Sequence, residues 1–433
     1  MKSNSWGKYF GFTAFGESHG KAIGVVIEDV KSGIKFPLAE IQKELNARKP
    51  GKGKFSSSRR EEDKIEVLSG VFEGKTTGMP ICLIVYNKDA KSNDYEYLKN
   101  VFRPGHADFS YFKKFKIYDY RGGGRASGRE TIARIAASGL INDLLKNIEI
   151  KLYPVQIGKF KVKNLDFGFS NELYWFDKEN YHELIRYLEK IKKERNSVGG
   201  VVEVKITNLR AGLGDPVFEK LDANLAKAII SIGAVKGIEF GDGFRFASKT
   251  GLEANDQMNE QGFLSNHAGG ILGGISTGQP LIFRFVVKPT SSIAIPQKTT
   301  DASNREKIIR IKGRHDICII PRILPVAKAM IKLVLADAIG YQKLVEGNKL
   351  DLSDYREALD KIDEDILLAL YRRQEISRLI GKYKKEHNLK IEDKSREKEI
   401  LINLKQKAKS WNISETFVEA IWKLILAESK KIQ

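Results

Sequence analysis

Backbone breakers stop partway through this chain, and that break constrains the fold more than any other feature. Up to about Gly340, glycine clusters such as "RGGGRASG" and "AGGILGGISTG" recur; from Ser353 to Gln433 there is one interior glycine, Gly381, and no proline. Glycine and proline punctuate turns, and their absence permits long helices. Two domains of different class follow, 1–345 and 350–433, joined by a polar linker near Glu346–Lys349. In the first part the β-branched runs "ICLIVY", "GGVVEVKI" and "LIFRFVVK" read as strands. Helical patterns "PLAEIQKELNAR", "RETIARIAASGLINDLLKN" and "VFEKLDANLAKAIISI" lie among them. Strands and helices without strict alternation indicate an α+β class. In the tail, Leu359, Ile362, Ile366, Leu370, Ile376 and Ile380 recur near the helical period, giving a helix of about 30 residues. Asp393 and Ser414 are placed to cap two more helices. This is a small all-α three-helix domain whose first helix is long enough to bury its apolar stripe against a second chain.

Lysine plus arginine number 74 against 55 acidic residues, a formal charge of +19. That balance suits a nucleic acid or a small polyanion gripped by several cations. No zinc finger, arginine tract or RNA-binding aromatic pair is present, so nucleic acid is not expected. No apolar run approaches a membrane span, and "MKSNSWGKYFGF" has no signal-like apolar stretch. Cys82 and Cys318 lack metal-ligand spacing and read as reduced core thiols. The expected location is the cytoplasm, with no membrane partner.

Chemistry concentrates in the breaker-rich part. "GESHG" at Gly16–Gly20 fits the pattern of a nucleophilic serine, but the following "AIGVVI" reads as a strand rather than the helix such an elbow requires. Ser18 and His19 therefore need another use. "ARKPGKGKFSSSRREED" gathers Arg48, Lys49, Lys52, Lys54, Arg59 and Arg60, either a solvated loop or a clamp for phosphate and carboxylate. "FRPGHADF" sets His106 in a turn. "DYRGGGRASGRE" puts three glycines before Arg125 and Ser127 at an expected helix start, where backbone N–H groups and the helix dipole suit a phosphate. "KPTSSI" supplies hydroxyl donors beside Lys288, and "GRHD" concentrates Arg314, His315 and Asp316. Four of six histidines (His19, His106, His267, His315) sit in glycine-bearing motifs, which favours acid–base or ligand roles over packing.

Taken in order, "FGESHG", "FRPGHAD", "YRGGGRASGRET", "SNHAGGILGGIS", "KPTSSI" and "GRHD" resemble chorismate synthase, from about Trp6 to Leu335. The resemblance implies a β-α-β sandwich-like domain and removal of phosphate from 5-enolpyruvylshikimate 3-phosphate to give chorismate. It implies reduced FMN, which lends electron density without net redox change, and NADPH as a candidate flavin reductant. Carried over, His19 meets the departing phosphate with Ser18 as its neighbour, His106 protonates the reduced flavin, and Asp316 assists loss of the ring proton. Arg48, Lys54 and Arg314 serve substrate anions. Arg125, Ala126, Ser127, Gly233, Ala234, Gly273, Lys288, Pro289, Thr290, Ser291, Ser292 and Arg314 fall at cofactor contacts. A homotetramer through this domain is implied. The chain departs from the family at Lys54 (usually arginine), Ala126 (serine), Ile317 (proline) and Lys328 (glutamate).

The tail, over Asp354–Gln433, resembles the all-helical chorismate mutases through "REALDKIDEDILLALYRRQEISRLIGKYK" and "EDKSREKEIL". The resemblance implies rearrangement of chorismate to prephenate by positioning and charge, with no nucleophile. It places carboxylates on Arg356 from a partner chain, Arg373 and Arg396. Asp393 and Glu397 hold the ring-hydroxyl end, with Ser429 also at the substrate. Lys384 and Gln433 donate to the ether oxygen. Arg356 lies seventeen residues before Arg373, about 25 Å along a helix, too far to share one chain's pocket. The alternative reading is a chorismate-sensing, dimer-forming tail without turnover.

Overall fold

The computed structural model describes residues 3–49, 53–57, 61–88, 96–313, 315–346, 352–411 and 413–432. Lys52, Arg59, Arg60, Arg314, Lys349 and Gln433, all singled out in the sequence, lie outside them. The chain divides into two compact units, 1–346 and 347–433.

Two five-stranded antiparallel sheets build the first unit. One runs Ser5–Trp6, Phe12–Gly16, Ala22–Ile27, Ile81–Tyr86, Glu66–Ser69 in spatial order. The other runs Val235–Phe240, Leu281–Val287, Gly200–Thr207, Glu149–Ile157, Phe160–Lys161. Along Gly200–Thr207 buried residues alternate with partly open ones, as for a strand with one face on a core. The helices are α1 (Leu38–Arg48), α2 (Asp108–Phe115), α3 (Thr131–Ser138), α4 (Tyr181–Lys193), α5 (Leu221–Ile230), a one-turn α6 (Gly251–Ala254) and α7 (Ile320–Glu346). Helix α3 packs on the first sheet, α5 on the second, and α7 touches α1, α3, α5 and the strand Glu149–Ile157. Helices thus lie between two sheets, the sandwich that the sequence led us to expect.

The sequence pattern does not disclose α7. Pro321 stands in its first turn, where proline is tolerated, and Pro325 falls inside it, where proline reads as a stop. From Ile320 to Ala336 its residues are almost all buried. A helix apolar on most sides shows no clean stripe, because most of it sits inside the core. Two other expected helices shrink. "RETIARIAASGLINDLLKN" keeps only α3, followed by 3-10 turns at Gly139–Ile141 and Asp143–Leu145. A Cβ at Gly139 would lie 2.3 Å from Ile41 Cγ1, so α1 packs where only glycine fits. In "VFEKLDANLAKAIISI" the helix begins at Leu221, and Phe218 is exposed ahead of it.

The second unit is three helices: α8 (Leu352–Glu386), α9 (Lys394–Ser410) and α10 (Glu415–Lys431). Asp393 accepts a hydrogen bond from the N–H of Arg396, and Ser414 one from Phe417, so both are the caps that the sequence indicated. Leu359, Ile362, Ile366, Ile376 and Ile380 remain exposed on α8.

Candidate active sites

Ser18 and His19 occupy the turn between the paired strands Phe12–Gly16 and Ala22–Ile27. Ser18 is fully buried, and its hydroxyl lies 3.2 Å from His19 Nδ1. A hairpin, not a strand-to-helix elbow, carries them, so Ser18 has none of the exposure a nucleophile needs. The triglycine turn closes over the histidine: at Gly122 (φ +65°) a Cβ would fall 2.0 Å from His19 Cε1. Asn87 holds the same turn from the other strand, donating to the carbonyls of Glu17 and Gly20 at 2.9 and 2.8 Å.

The expected phosphate cradle at the start of α3 is not formed. Gly124–Ala126 and Gly128–Glu130 are 3-10 turns, and α3 begins only at Thr131. The amides there are already used, Ala126 N on Gly123 O, Ser127 N on Gly124 O and Arg129 N on Ser127 Oγ. Arg125 turns inward, donating to the carbonyls of Gly16 and Ala14 and to Asn4 Oδ1. In this arrangement it fixes the strand that leads into the His19 turn.

His106 sits beside the Lys288–Ser292 segment. Its Nδ1 is 3.1 Å from Pro104 O and its Nε2 is 2.8 Å from Ser292 Oγ. A carbonyl only accepts, so Nδ1 carries the proton and Nε2 receives the Ser292 hydroxyl. Burial, then the charge of Arg103, pushes its pKa down to about 4. The imidazole is therefore neutral near pH 7, with Nε2 engaged by the Ser292 hydroxyl. Lys288 Nζ and Ser291 Oγ both donate to Gly105 O, at 2.7 and 3.0 Å. Gly105 has φ +70°, and a Cβ there would lie 2.8 Å from Ser291 Oγ. Arg103 is locked onto Asp108 by two parallel bonds of 2.7 Å, both side chains about 95% buried.

The segments assigned to the cofactor converge. Lys288 N donates to the carbonyl of Ala234, whose φ of +76° is unusual for a residue with a Cβ. Ser197 Oγ donates to Thr290 O, and the next residue, Val198, donates its N–H to Ile317 O, beside Asp316, at 2.9 Å. Asp316 is 6% exposed and held at both oxygens, by Ser57 N at 2.8 Å and Arg322 Nη1 at 2.5 Å.

Two expected cations are placed differently. Arg48 is not on an open loop: it is 2% exposed, bonded to Asp63 at 2.6 Å and to Gly128 O at 3.1 Å. Burial, the largest influence, pushes its pKa down to about 10 against the pull of Asp63. Lys54 pairs with Glu189 of α4 and stays half exposed, because α4 presents an acid within reach. His267 is bonded to Asp242 and Lys249, with no hydrogen bond to His19 or His106. Lys328, a departure from the family, is exposed on α7. Arg129, inside the quoted glycine motif yet not singled out from sequence, is 5% exposed and paired with Glu61 and Asp63. Its signal was four arginines in one short stretch, Arg121 to Arg134, of which only one was assigned.

In the second unit three helices meet at one end. Arg373 of α8 donates to Ser429 of α10, which is 6% exposed. Lys430 of α10 pairs with Glu397 of α9 at 3.0 Å. Lys384 Nζ donates to Ile391 O at 2.5 Å, and Arg396 pairs with Glu399 at 2.7 Å. Arg356 is exposed.

A family model described as chorismate synthase matches residues 10–339. The chain belongs to the chorismate synthase family. It is 49% identical to the chorismate synthase of Agathobacter rectalis over 349 residues, 78% of this chain and 95% of that protein. It is 47% identical to the chorismate synthase of Francisella tularensis subsp. novicida over 344 residues, 78% of this chain and 98% of the relative. Among solved structures, one titled "Crystal Structure of Chorismate Synthase" matches with a TM-score of 0.61 at 28% identity, covering 83% of this chain and 99% of that one. A second family model, chorismate mutase type II, matches residues 355–433. Among the described residues no helix is long and apolar enough to cross a membrane, and no His/Cys/Asp/Glu group has metal-binding geometry.

Proposed function

We infer that this chain is a bifunctional shikimate-pathway enzyme. Its first unit eliminates phosphate from 5-enolpyruvylshikimate 3-phosphate to give chorismate, and its second rearranges chorismate to prephenate. The observation that carries the reading is the meeting of residues 105–106 with 288–292 through three hydrogen bonds in the first unit, in a chain whose second unit brings Arg373 onto Ser429 and Glu397 onto Lys430.

Reduced FMN is the cofactor that the first unit would hold, and the residues fit it. Thr290 Oγ1 is buried without a hydrogen-bond partner among the described residues. Gly233 and Gly273 have open space where a side chain would stand. A flat ring therefore has a hydroxyl to meet and bare backbone to approach, with Ala126, Ser127, Ala234, Pro289 and Arg314 completing the contact set. When bound, the reduced flavin supplies electron density to the leaving step and takes it back; NADPH is a candidate reductant for it.

The protein's own part is orientation and proton movement. His19, pinned by Ser18 and Gly122, stands as the acid for the departing phosphate. His106, neutral with Nε2 on the Ser292 hydroxyl, holds or relays a proton beside the cofactor. Asp316, kept in place by Ser57 N and Arg322, assists loss of the ring proton. Arg48, Lys54, Arg129 and Arg314 meet the substrate's phosphate and carboxylates; for Lys54 this requires release from Glu189. Asp63 and Glu61 neutralise Arg48 and Arg129 until then.

In the second unit Arg373, Arg396 and the partner chain's copy of Arg356 grip the two carboxylates. Asp393, Glu397 and Ser429 hold the ring end, and Lys384 and Gln433 donate to the ether oxygen as its bond to carbon breaks. The exposed stripe of α8 is buried in a dimer, and the synthase units associate further into a tetramer. Residence in the cytoplasm follows from this biosynthetic role.

Anaerobic incubation of the full chain with 5-enolpyruvylshikimate 3-phosphate and reduced FMN tests the whole scheme. We expect chorismate, then prephenate, with the flavin still reduced at the end. Chorismate that accumulates without prephenate would reduce the tail to a binding module.

A further inference from the structure

We propose that Asp63 is a positioning residue of the synthase site, a single buried carboxylate that sets the two arginines Arg48 and Arg129 for an oxyanion. The inference rests on the reading above that these arginines meet the phosphorylated substrate. Asp63 is 3% exposed and has φ +42°, an unusual conformation for a residue with a Cβ. Its two oxygens are divided: Oδ2 lies 2.6 Å from Arg48 Nη2 and Oδ1 lies 3.0 Å from Arg129 Nη1. The arginines come from separate elements, the last turn of α1 and the 3-10 turn Gly128–Glu130, and Arg48 Nη1 also reaches Gly128 O. Arg129 Nε donates to Asn87 Oδ1 at 2.9 Å, and Asn87 holds the His19 turn. One carboxylate therefore ties α1, the glycine motif and the His19 turn together.

Both arginines keep a donor in reserve. Arg48 Nε and Arg129 Nη2 are buried, and among the described residues neither has a hydrogen-bond partner. A buried charged donor left unpaired is costly, and such groups persist where a ligand completes them. The matching chemistry is a phosphate or carboxylate, which takes guanidinium donors in pairs. Both guanidiniums bond the same carboxylate, which keeps them side by side; burial first, then the charges of Arg322 and Arg129, lower the pKa of Arg48 against the pull of Asp63.

Two mechanisms give opposite signs. If Asp63 merely balances charge, removing it makes the pocket more positive and anions bind tighter. If it positions the guanidiniums, removing it weakens anion binding. The experiment uses the full chain and compares Asp63→Asn, Asp63→Glu and Arg129→Lys with wild type. KM and kcat for chorismate formation, competitive inhibition by inorganic phosphate, FMN affinity and Tm are measured. For D63N we expect KM for the phosphorylated substrate and Ki for inorganic phosphate to rise roughly ten- to hundred-fold, the scale of a charge-assisted hydrogen bond. FMN affinity should stay within about two-fold, with D63E intermediate, since it keeps the charge but displaces it by a methylene. An unchanged or lowered KM in folded D63N overturns the proposal. If D63N does not fold, D63E decides: a raised KM with FMN still bound supports it, and wild-type KM overturns it. R129K separates the two claims. An unchanged KM there removes Arg129 from the substrate site and the proposal with it. A raised KM for R129K beside a normal one for D63N overturns the role of Asp63 alone.

Discussion

The two units treat their charged residues in opposite ways. In the first, Arg48, Asp63, Arg103 and Asp108 are each 5% exposed or less and paired within one chain. In the second, the pair Arg396–Glu399 is about 60% exposed, Arg356 is open, and α8 shows Ile366 at 54%. A large core between two sheets can desolvate ion pairs and hold them with further hydrogen bonds. A three-helix unit has too little interior for that, and the apolar stripe of α8 stays exposed within one chain. On the proposed reading the synthase site is a product of one fold, and the mutase site draws on two copies of the chain.

That contrast is sharpest in activity. His106→Ala should lower kcat for chorismate formation by about 10²–10⁴, the worth of a general acid–base group, while FMN still binds. The loss should not depend on protein concentration. A variant within a factor of two of wild type would return His106 to a packing role.

For the mutase, Arg356→Ala and Arg373→Ala should each cost roughly 10²–10³ in prephenate formation, as for a lost transition-state donor. Mixing the two inactive proteins after subunit exchange should recover about a quarter of wild-type activity, because half of the dimers are mixed and each of those has one intact site. No recovery on mixing would place both arginines in one chain's pocket and break the comparison.

Stability carries the difference at smaller scale. Asp108→Ala removes the buried carboxylate that takes both parallel bonds from Arg103 and should cost about 3–5 kcal/mol in urea denaturation of the full chain. Glu399→Ala breaks a solvated pair and should cost about 0–1 kcal/mol. Equal losses would show that burial does not separate the units.

A further test of burial concerns pH. Because the pKa of His106 is lowered on folding to about 4, the unfolded chain takes up a proton first. Its contribution to stability is fully present above about pH 6.5 and is lost as pH falls toward 4. His106→Gln should flatten that part of the stability profile, and an unchanged slope would contradict the assigned burial.

The sequence alone determined the elements whose signals are local. The breaker-free tail, its caps at Asp393 and Ser414, and the strands Ala22–Ile27, Ile81–Tyr86 and Leu281–Val287 rest on periodicity and capping within a few residues. So did the choice of motifs, because glycines beside histidine, arginine and hydroxyl side chains mark places where backbone comes close to something. Tertiary structure decided what those side chains face. Arg48 meets Asp63 and Gly128, Lys54 meets Glu189, and Gly122 closes over His19, across separations of 15 to well over 100 residues that no local pattern encodes. It also decided α7, which Pro325 disguises and which its apolar surroundings make a helix. A charge in a sequence is only a candidate for a ligand; whether it is spent on a neighbour or kept for a substrate depends on which distant carboxylate the core brings beside it.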